Sequence, residues 1–354
     1  MRNYEPTKQF PPEAVYQLHD PDSGLEGTIV LHSTALGPAA GGCRLWTYDS
    51  RASMTHDAMR LAQGMSMKNA MAGLPLGGGK CVINRPRGDF DRESLFAALG
   101  KAVRNLHGNY VTAEDVGTGV GDMETVRRFT RHVAGLPAEA GRPGGDPSPW
   151  TAKGVFTAMQ HAVRRKMDCD LNGLTVAVQG LGHVGSALCG LLHEAGAKLV
   201  VAETRSDLAA RVACRYGAYL AAPEAVLEAE CDVLAPCALG AVLNRKSVPK
   251  VRAKVVCGAA NNVLETAEDG DLLAERGVLY APDYVVNSGG IINVCGEYLG
   301  WEPQVVEQRV GETGARLDDV FDFAERNTLP SHRAADEMAL AKIAGAACKT
   351  SVAA

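Results

Sequence analysis

The side chains best suited to chemistry in this sequence are two lysines and an aspartate. Lys68 lies in Gly64-Met-Ser-Met-Lys-Asn-Ala-Met-Ala-Gly73, where few other charges stand nearby, and Lys80 follows Gly77-Gly78-Gly79. A lysine held beside another cation and away from water loses its proton more readily and serves as a general base. The plain alternative is a surface lysine after a turn. The triple glycine does not make a phosphate loop, because G-x-x-x-x-G-K-[ST] needs a different spacing and Cys81 follows the lysine. Asp115, in Tyr110-Val-Thr-Ala-Glu-Asp-Val-Gly-Thr118, falls at a strand end where the chain turns. Taken alone, that position reads as a capping or turn aspartate. Asn261 and Asn262 follow an apolar run, where amides commonly satisfy turn backbone.

A glycine fingerprint adds a second chemistry. Residues 174–179 read as a strand that runs into Gly180-Leu-Gly182-His183-Val184-Gly185, with a helical pattern over 184–195. Glycines there allow the tight turn and let N–H groups at a helix N-terminus meet a pyrophosphate. Glu203 ends the next strand, about 20 residues on, where an acidic residue takes the adenosine ribose hydroxyls. A carboxylate there repels a 2′-phosphate, so NAD is expected rather than NADP. Arg205 points the other way, being placed to hold such a phosphate. The alternative is a doubly wound domain that binds no nucleotide.

The elements that must position these groups fall into two unlike parts, broken at 141–149, where three prolines and three glycines exclude both helix and central strand. Before the break, 27–31 and 80–83 read as strands, and 55–71, 93–106 and 122–132 carry apolar residues at helical spacing. After it, a helix at 151–164 leads into a β-α-β pattern with strands at 174–179, 198–202, 233–235, 255–257 and 278–280. Residues 304–354 read as helical throughout. The expected fold is α/β: a mixed α/β substrate and oligomerisation domain at 1–140, then a Rossmann doubly wound domain at 145–330, with the last helix (about 331–354) packing back on the first.

With 354 residues, 46% of them hydrophobic and 22% charged, the chain can bury the cores of two domains. A formal charge of −5 with no basic block gives no support to a nucleic-acid partner. No apolar run suggests a membrane span and the first residues show no secretory pattern. The ten cysteines form no C-x-x-C pair and no metal-ligand spacing. Together these point to a reducing cytoplasm, with no metal and no membrane partner.

Several motifs occur in a fixed order. They are Gly37-Pro-Ala-Ala-Gly-Gly-Cys-Arg44, Met65-Ser-Met-Lys68-Asn-Ala, Leu76-Gly-Gly-Gly-Lys80, Thr112-Ala-Glu-Asp115-Val-Gly-Thr, Ala235-Pro-Cys-Ala-Leu-Gly240, Gly258-Ala-Ala-Asn-Asn262 and Tyr280-Ala-Pro-Asp-Tyr-Val-Val-Asn287-Ser-Gly-Gly290. In order and spacing, from about 36 to 333, they resemble the glutamate/leucine/phenylalanine/valine dehydrogenase family, its leucine and other branched-chain members above all.

The resemblance implies reversible, NAD-dependent oxidative deamination of an L-amino acid to a 2-oxo acid and ammonia, in a cleft between the two domains of a homo-oligomer. It assigns Lys80 as the base acting through water and Asp115 as the proton carrier to and from the amine. Lys68 would bind the substrate carboxylate, and Asn262 would bridge substrate and nicotinamide. Gly42, Ala40, Ala113, Ile291 and Val294 would line the substrate, and Thr151, Gly180, Gly182, His183, Val184, Gly185, Glu203, Arg205, Ala238 and Asn262 the cofactor. Glu203 stands where an aspartate is common and keeps its charge. Ala40 replaces a leucine usual in leucine-type pockets and opens space; Ala113, Ile291 and Val294 keep an aliphatic wall. The reading is leucine, isoleucine and valine as substrates. The alternative is a phenylalanine or tryptophan dehydrogenase of the same family. An inactive NAD-binding relative would have lost Lys80 or Asp115. Glutamate does not suit an aliphatic pocket, and His183 lies inside the nucleotide loop, where it cannot serve as the base of a 2-hydroxy acid dehydrogenase.

Overall fold

A computed structural model describes residues 11–352, which form two α/β units. Residues 11–146, 293–306 and 339–352 make the first, and 147–292 with 307–338 the second.

The first unit is built on a mixed sheet of β1 (Ala14–Asp20), β2 (Leu25–Ser33), β3 (Ala39–Ala40), β4 (Cys43–Trp46), β5 (Gly77–Asn84) and β6 (Tyr110–Val111). Their order is β1-β2-β5-β3-β6, with β4 also paired to β5. The β1–β2 and β2–β5 pairs are antiparallel; β3 and β4 run parallel to β5, and β3 to β6. Its helices are α1 (Arg51–Met71), α2 (Arg92–Arg104) and α3 (Val120–Arg127).

Register explains how this sheet divides its labour. Ala40 lies opposite both Gly78 and Val111, and Cys43 opposite Cys81. Because side chains alternate along a strand, Cys43, Leu45, Cys81 and Ile83 share one face and pack with Phe96, Leu99, Met123 and Tyr110 in a core beneath α2 and α3. Val82 belongs to the other face, where α1 lays Met54, Ala58 and Ala62 on Val30 and Val82. Arg44 and Lys80, each one residue from a core cysteine, therefore project on the α1 side. A capping box of Ser50 and Ser53 starts α1, and Lys68 in its last turn suits the negative end of the helix dipole.

Two expectations need correction here. The strand expected at 80–83 begins three residues earlier, so the triple glycine is strand rather than turn. A Cβ on Gly77 would meet the Ser33 carbonyl, one on Gly78 the backbone of Ser66 on α1, and one on Gly79 the Tyr110 ring at 3.0 Å. Glycine lets both neighbouring layers approach the backbone. The helix expected at 122–132 ends at Arg127. The chain then leaves it to pair with Thr112, whose N–H donates to the His132 carbonyl (3.1 Å) and whose carbonyl accepts from Ala134 (2.9 Å).

The second unit opens with α4 (Ser148–Met167) and continues β7 (Thr175–Gln179), α5 (His183–Glu194), β8 (Lys198–Ala202), α6 (Ser206–Tyr216), β9 (Tyr219–Leu220), β10 (Val233–Pro236), β11 (Val255–Val256), α7 (Ala267–Glu275), β12 (Leu279–Tyr280) and α8 (Asp283–Val286). Four more helices follow: α9 (Gly289–Leu299), α10 (Pro303–Gly311), α11 (Thr313–Asn327) and α12 (Ser331–Val352). Of these, α9, α10 and α12 are shared between the units. The six strands are all parallel, in the order β12-β11-β10-β7-β8-β9. Counted from β7, that is the Rossmann arrangement 3-2-1-4-5-6, with its switch point between β7 and β10. The stretch expected to be helical throughout breaks at Glu312 and again at Thr328, whose φ of 55° caps α11 ahead of Pro330. No helix of the described residues is long and apolar enough to cross a membrane.

Candidate active site

Lys80 and Asp115 meet. Lys80, only 5% exposed, places its Nζ 2.7 Å from Asp115 Oδ2. The sequence left Asp115 open as a turn or capping residue, but the turn is closed by other atoms. Thr118 Oγ1 accepts the Asp115 N–H at 2.9 Å, and the Thr118 N–H donates to the Asp115 carbonyl at 3.0 Å. The carboxylate is left for ion pairing. Burial on its own would raise this carboxyl; the Lys80 ammonium and the Arg44 guanidinium outweigh it and hold Asp115 below the usual carboxylate range. Arg44 Nε lies 3.2 Å from the same Oδ2.

The residues around this pair follow from the sheet. Gly42 has no room for a side chain: a Cβ there would stand 2.5 Å from the Glu114 carbonyl and 2.9 Å from Asp115 Cβ. Ala40 and Ala113, both buried, lie on β3 and just beyond β6, and the Cys43 N–H donates to the Ala113 carbonyl (2.7 Å). Lys68 is half-buried on α1, the helix covering this face. Asn69, beside it, ties the end of α1 to the start of β5 through Nδ2 and the Gly77 carbonyl at 2.6 Å. Half-buried Ile291 and Val294 lie one turn apart on α9.

In the second unit the loops after β7, β10 and β11 converge at the switch point. Gly180 has φ 90°, and a Cβ on it would sit 2.6 Å from Ala238 Cβ, so the loops after β7 and β10 touch there. Gly185 packs on the Gly180 carbonyl, whereas Gly182, the N-cap of α5, has open space where a Cβ would stand. His183 and Val184 form the first turn of α5. Asn262, exposed and at φ 52°, accepts the Ala241 N–H at 2.7 Å, joining the loops after β10 and β11. Glu203 Oε2 accepts the Leu181 N–H (2.9 Å), and Oε1 accepts from the Arg205 N–H (3.1 Å) and the Thr204 hydroxyl (3.1 Å). Burial pushes this carboxyl up, but those N–H groups more than compensate and leave it below its ordinary range. The Arg205 side chain turns to Glu203, with Nε 3.6 Å from Oε1. Thr151, on α4, donates to the Pro147 carbonyl (3.1 Å) and stands where a side chain on Gly290 would fall.

Residues 12–132 match the Glu/Leu/Phe/Val dehydrogenase dimerisation domain, and 146–217 with 202–350 match the glutamate/leucine/phenylalanine/valine dehydrogenase domain. The chain belongs to the Glu/Leu/Phe/Val dehydrogenase family. Leucine dehydrogenase of Thermoactinomyces intermedius is 44% identical over 97% of this chain and 94% of its own length. Valine dehydrogenase of Streptomyces coelicolor is 43% identical, covering 94% and 93%. The crystal structure of L-tryptophan dehydrogenase from Nostoc punctiforme superposes with a TM-score of 0.83 at 34% identity, over 95% of this chain and 96% of that one.

As a member of this dehydrogenase family the chain is an enzyme with a dinucleotide-binding domain, and a nicotinamide cofactor is implied. The open space at Gly182, at the N-terminus of α5, and an ionised Glu203 beside it fit such a group. Among the described residues no cluster of His, Cys, Asp or Glu has metal-binding geometry. Three contributors were missed in the sequence. Arg44 contacts Asp115; Asn287 Nδ2 donates to the Ala259 carbonyl (3.2 Å) and to Asn261 Oδ1 (2.9 Å); Asp283 Oδ2 accepts the Val263 N–H (2.8 Å). The last two hold the loop that carries Asn262. Arg44 and Asn287 stand in the quoted motifs, but nothing in a linear reading tells a side chain that touches a site residue from one that packs elsewhere.

Proposed function

We propose that this enzyme catalyses the reversible, NAD-dependent oxidative deamination of branched-chain L-amino acids, leucine foremost, to 2-oxo acids and ammonia. The observation that carries the reading is the ion pair between buried Lys80 and half-buried Asp115 on the sheet face covered by α1. Dehydrogenation of an amine leaves an iminium, which water must attack. That water needs a base, and the amine nitrogen needs a group to take up and return protons.

In this reading the Lys68 ammonium pairs with the substrate carboxylate. Lys80, once neutral, removes a proton from the attacking water and later returns it. Asp115, ionised because two cations face it, accepts a proton from the substrate ammonium and delivers one to the departing amine. Gly42 keeps the backbone close to Asp115 so that no side chain intrudes. The nicotinamide, when bound, supplies the hydride acceptor. Gly180, Gly182, Gly185 and the first turn of α5 (His183, Val184) would hold its pyrophosphate, Glu203 the adenosine ribose, and Thr151, Ala238 and Asn262 the nicotinamide end. Glu203 supports NAD over NADP. Its two oxygens offer about four acceptor sites, of which the loop uses three, so a ribose hydroxyl still finds one.

The family resemblance makes Ala113, Ile291 and Val294 aliphatic substrate contacts, which would favour flexible aliphatic chains. The leucine and valine dehydrogenases similar to this chain over nearly its whole length support the same choice. An aromatic substrate is the second reading, favoured by the small side chain at Ala40. NADH formation with a panel of L-amino acids at alkaline pH decides between them. Leucine, isoleucine and valine should give the highest kcat/KM; higher values for phenylalanine or tryptophan would reverse the assignment. A homo-oligomer is proposed from the dimerisation-domain match, and a reducing cytoplasm from ten scattered cysteines with no C-x-x-C pair among them.

A further inference from the structure

Five charged side chains of the first unit alternate in sign along one connected path. Lys80 meets Asp115 (2.7 Å), Asp115 meets Arg44 (3.2 Å), Arg44 Nη1 meets Asp57 Oδ2 (3.1 Å), and Asp57 Oδ1 meets Arg60 Nη2 (3.0 Å). The Tyr48 hydroxyl donates to Asp57 Oδ2 at 2.7 Å. Arg44 thus spends two corners of its guanidinium on two carboxylates, one from the turn after β6 and one from α1. Its side chain is only 22% exposed, so this is not a solvated surface contact.

We propose that Arg44 is the positioning residue of the Lys80–Asp115 pair: by bridging Asp115 to Asp57 it fixes the carboxylate on the lysine and draws off part of the negative charge that would keep Lys80 protonated. The inference rests on the function proposed above for Lys80. A general base must shed its proton, and a lysine whose carboxylate partner is undivided holds it more tightly. A permanently charged guanidinium on the same oxygen weakens that grip. It also keeps Asp115 ionised after Lys80 has become neutral, when burial would otherwise favour the protonated acid. Arginine suits this work because its planar fork holds two carboxylates in fixed directions, which an ammonium cannot.

The surroundings leave this path as the source of the effect. Cys43 of β4 lies with Cys81 of β5 on the opposite face of the sheet, and its hydrogen bond with Cys81, together with burial, pushes its thiol well up, so it carries no charge. Burial, aided by the bond to Asp57, likewise raises Tyr48 and keeps it neutral. From α1 come Asp57, Arg60 and Lys68, and Glu114 flanks Asp115 in the chain.

Full-length Arg44→Gln, Arg44→Lys and Asp57→Asn proteins test the proposal through two readouts. One is the pH profile of kcat/KM for L-leucine oxidation. The other is the pH dependence of Lys80 carbamoylation by cyanate, read by peptide mass spectrometry, which needs no turnover. Arg44→Gln should move the alkaline rise and the Lys80 titration up by about one pH unit. Asp57→Asn should move both down, because Arg44 then serves Asp115 alone. Arg44→Lys should keep the titration near that of the parent while kcat falls by roughly fivefold or more, since the charge survives and the bridge does not. Shifts of the same sign in Arg44→Gln and Asp57→Asn, or no shift in either, would overturn the inference. If Arg44→Gln does not fold, the downward shift in Asp57→Asn and its absence in Arg44→Lys decide alone. A parent protein that oxidises no amino acid yet shows these titration shifts would sink the proposed function and leave the role of Arg44 standing.

Discussion

Asp115 Oδ2 is shared by two cations, and the consequences at the scale of single residues are measurable. Lys80→Ala should lower turnover by at least about 10²-fold, the lower end for general acid–base catalysis, while NADH binding measured by fluorescence stays nearly intact. Near-normal turnover in a folded variant would remove Lys80 from its role. Lys68→Ala should act differently, raising KM for the amino acid strongly, and an unchanged KM would take it out of the site. For the cofactor, NAD should be preferred to NADP by at least about tenfold, or 1.4 kcal/mol. Glu203→Ser should narrow that gap and also slacken the glycine loop, because the Leu181 N–H loses its acceptor. Equal kcat/KM with both cofactors in the parent would mean that Arg205 governs. At the substrate end, Ala40→Leu should sharpen the preference for smaller side chains, excluding large ones by about 1–3 kcal/mol; an unaltered kcat/KM ratio of isoleucine to valine would show that Ala40 does not line the substrate.

Elements explain what could be read without coordinates and what could not. The β-α-β run from β7 to β8 was plain because a buried parallel strand, a glycine turn and an amphipathic helix each leave a strong local pattern. The two-residue strand β3 was invisible, and β6 showed only as the strand end before Asp115: Ala39-Ala40 and Tyr110-Val111 carry no period, and their pairing is decided by neighbours far along the chain. The triple glycine misled for the same reason, since its cause lies in Ser33, Ser66 and Tyr110 rather than in its own segment. Lys80 and Asp115 were found by motif and by residue type, yet their contact depends on β4, whose Cys43 pairs with Cys81 of β5 and bridges to Glu114. The glycines separate local from long-range causes experimentally. Gly185→Ala would press on the Gly180 carbonyl and should cost roughly 1–3 kcal/mol of stability in urea unfolding. Gly182→Ala, with open space and φ −61°, should unfold much as the parent does while binding NADH more weakly. Equal losses of stability in the two would contradict the packing described.

For the whole molecule, acid should be the destabilising direction. Asp57 and Asp115 are both held below the ordinary range against the effect of burial, by the Tyr48 hydroxyl and Arg60 in one case and by Lys80 and Arg44 in the other. A depressed carboxylate contributes stability above its unfolded pKa and loses it as pH falls through the folded one. Between about pH 7 and 5 two opposing groups act. Burial raises Glu297 and Glu114, which gain on protonation, and lowers His132 and His332, which resist it. Melting temperature should therefore change little down to about pH 5 and drop below about pH 4; Asp57→Asn should show a shallower acid limb, and a limb as steep as the parent's would refute the assignment. The sharing of α9 between the units bears on biosynthesis. Glu297, from the later half of that helix, accepts the N–H groups of Gly135 (2.9 Å) and Leu136 (3.0 Å). Those amides are translated some 160 residues before their acceptor. A nascent chain that has emerged only as far as the proline-rich break carries an unfinished first unit, and it stays unfinished until the entire nucleotide fold has left the ribosome.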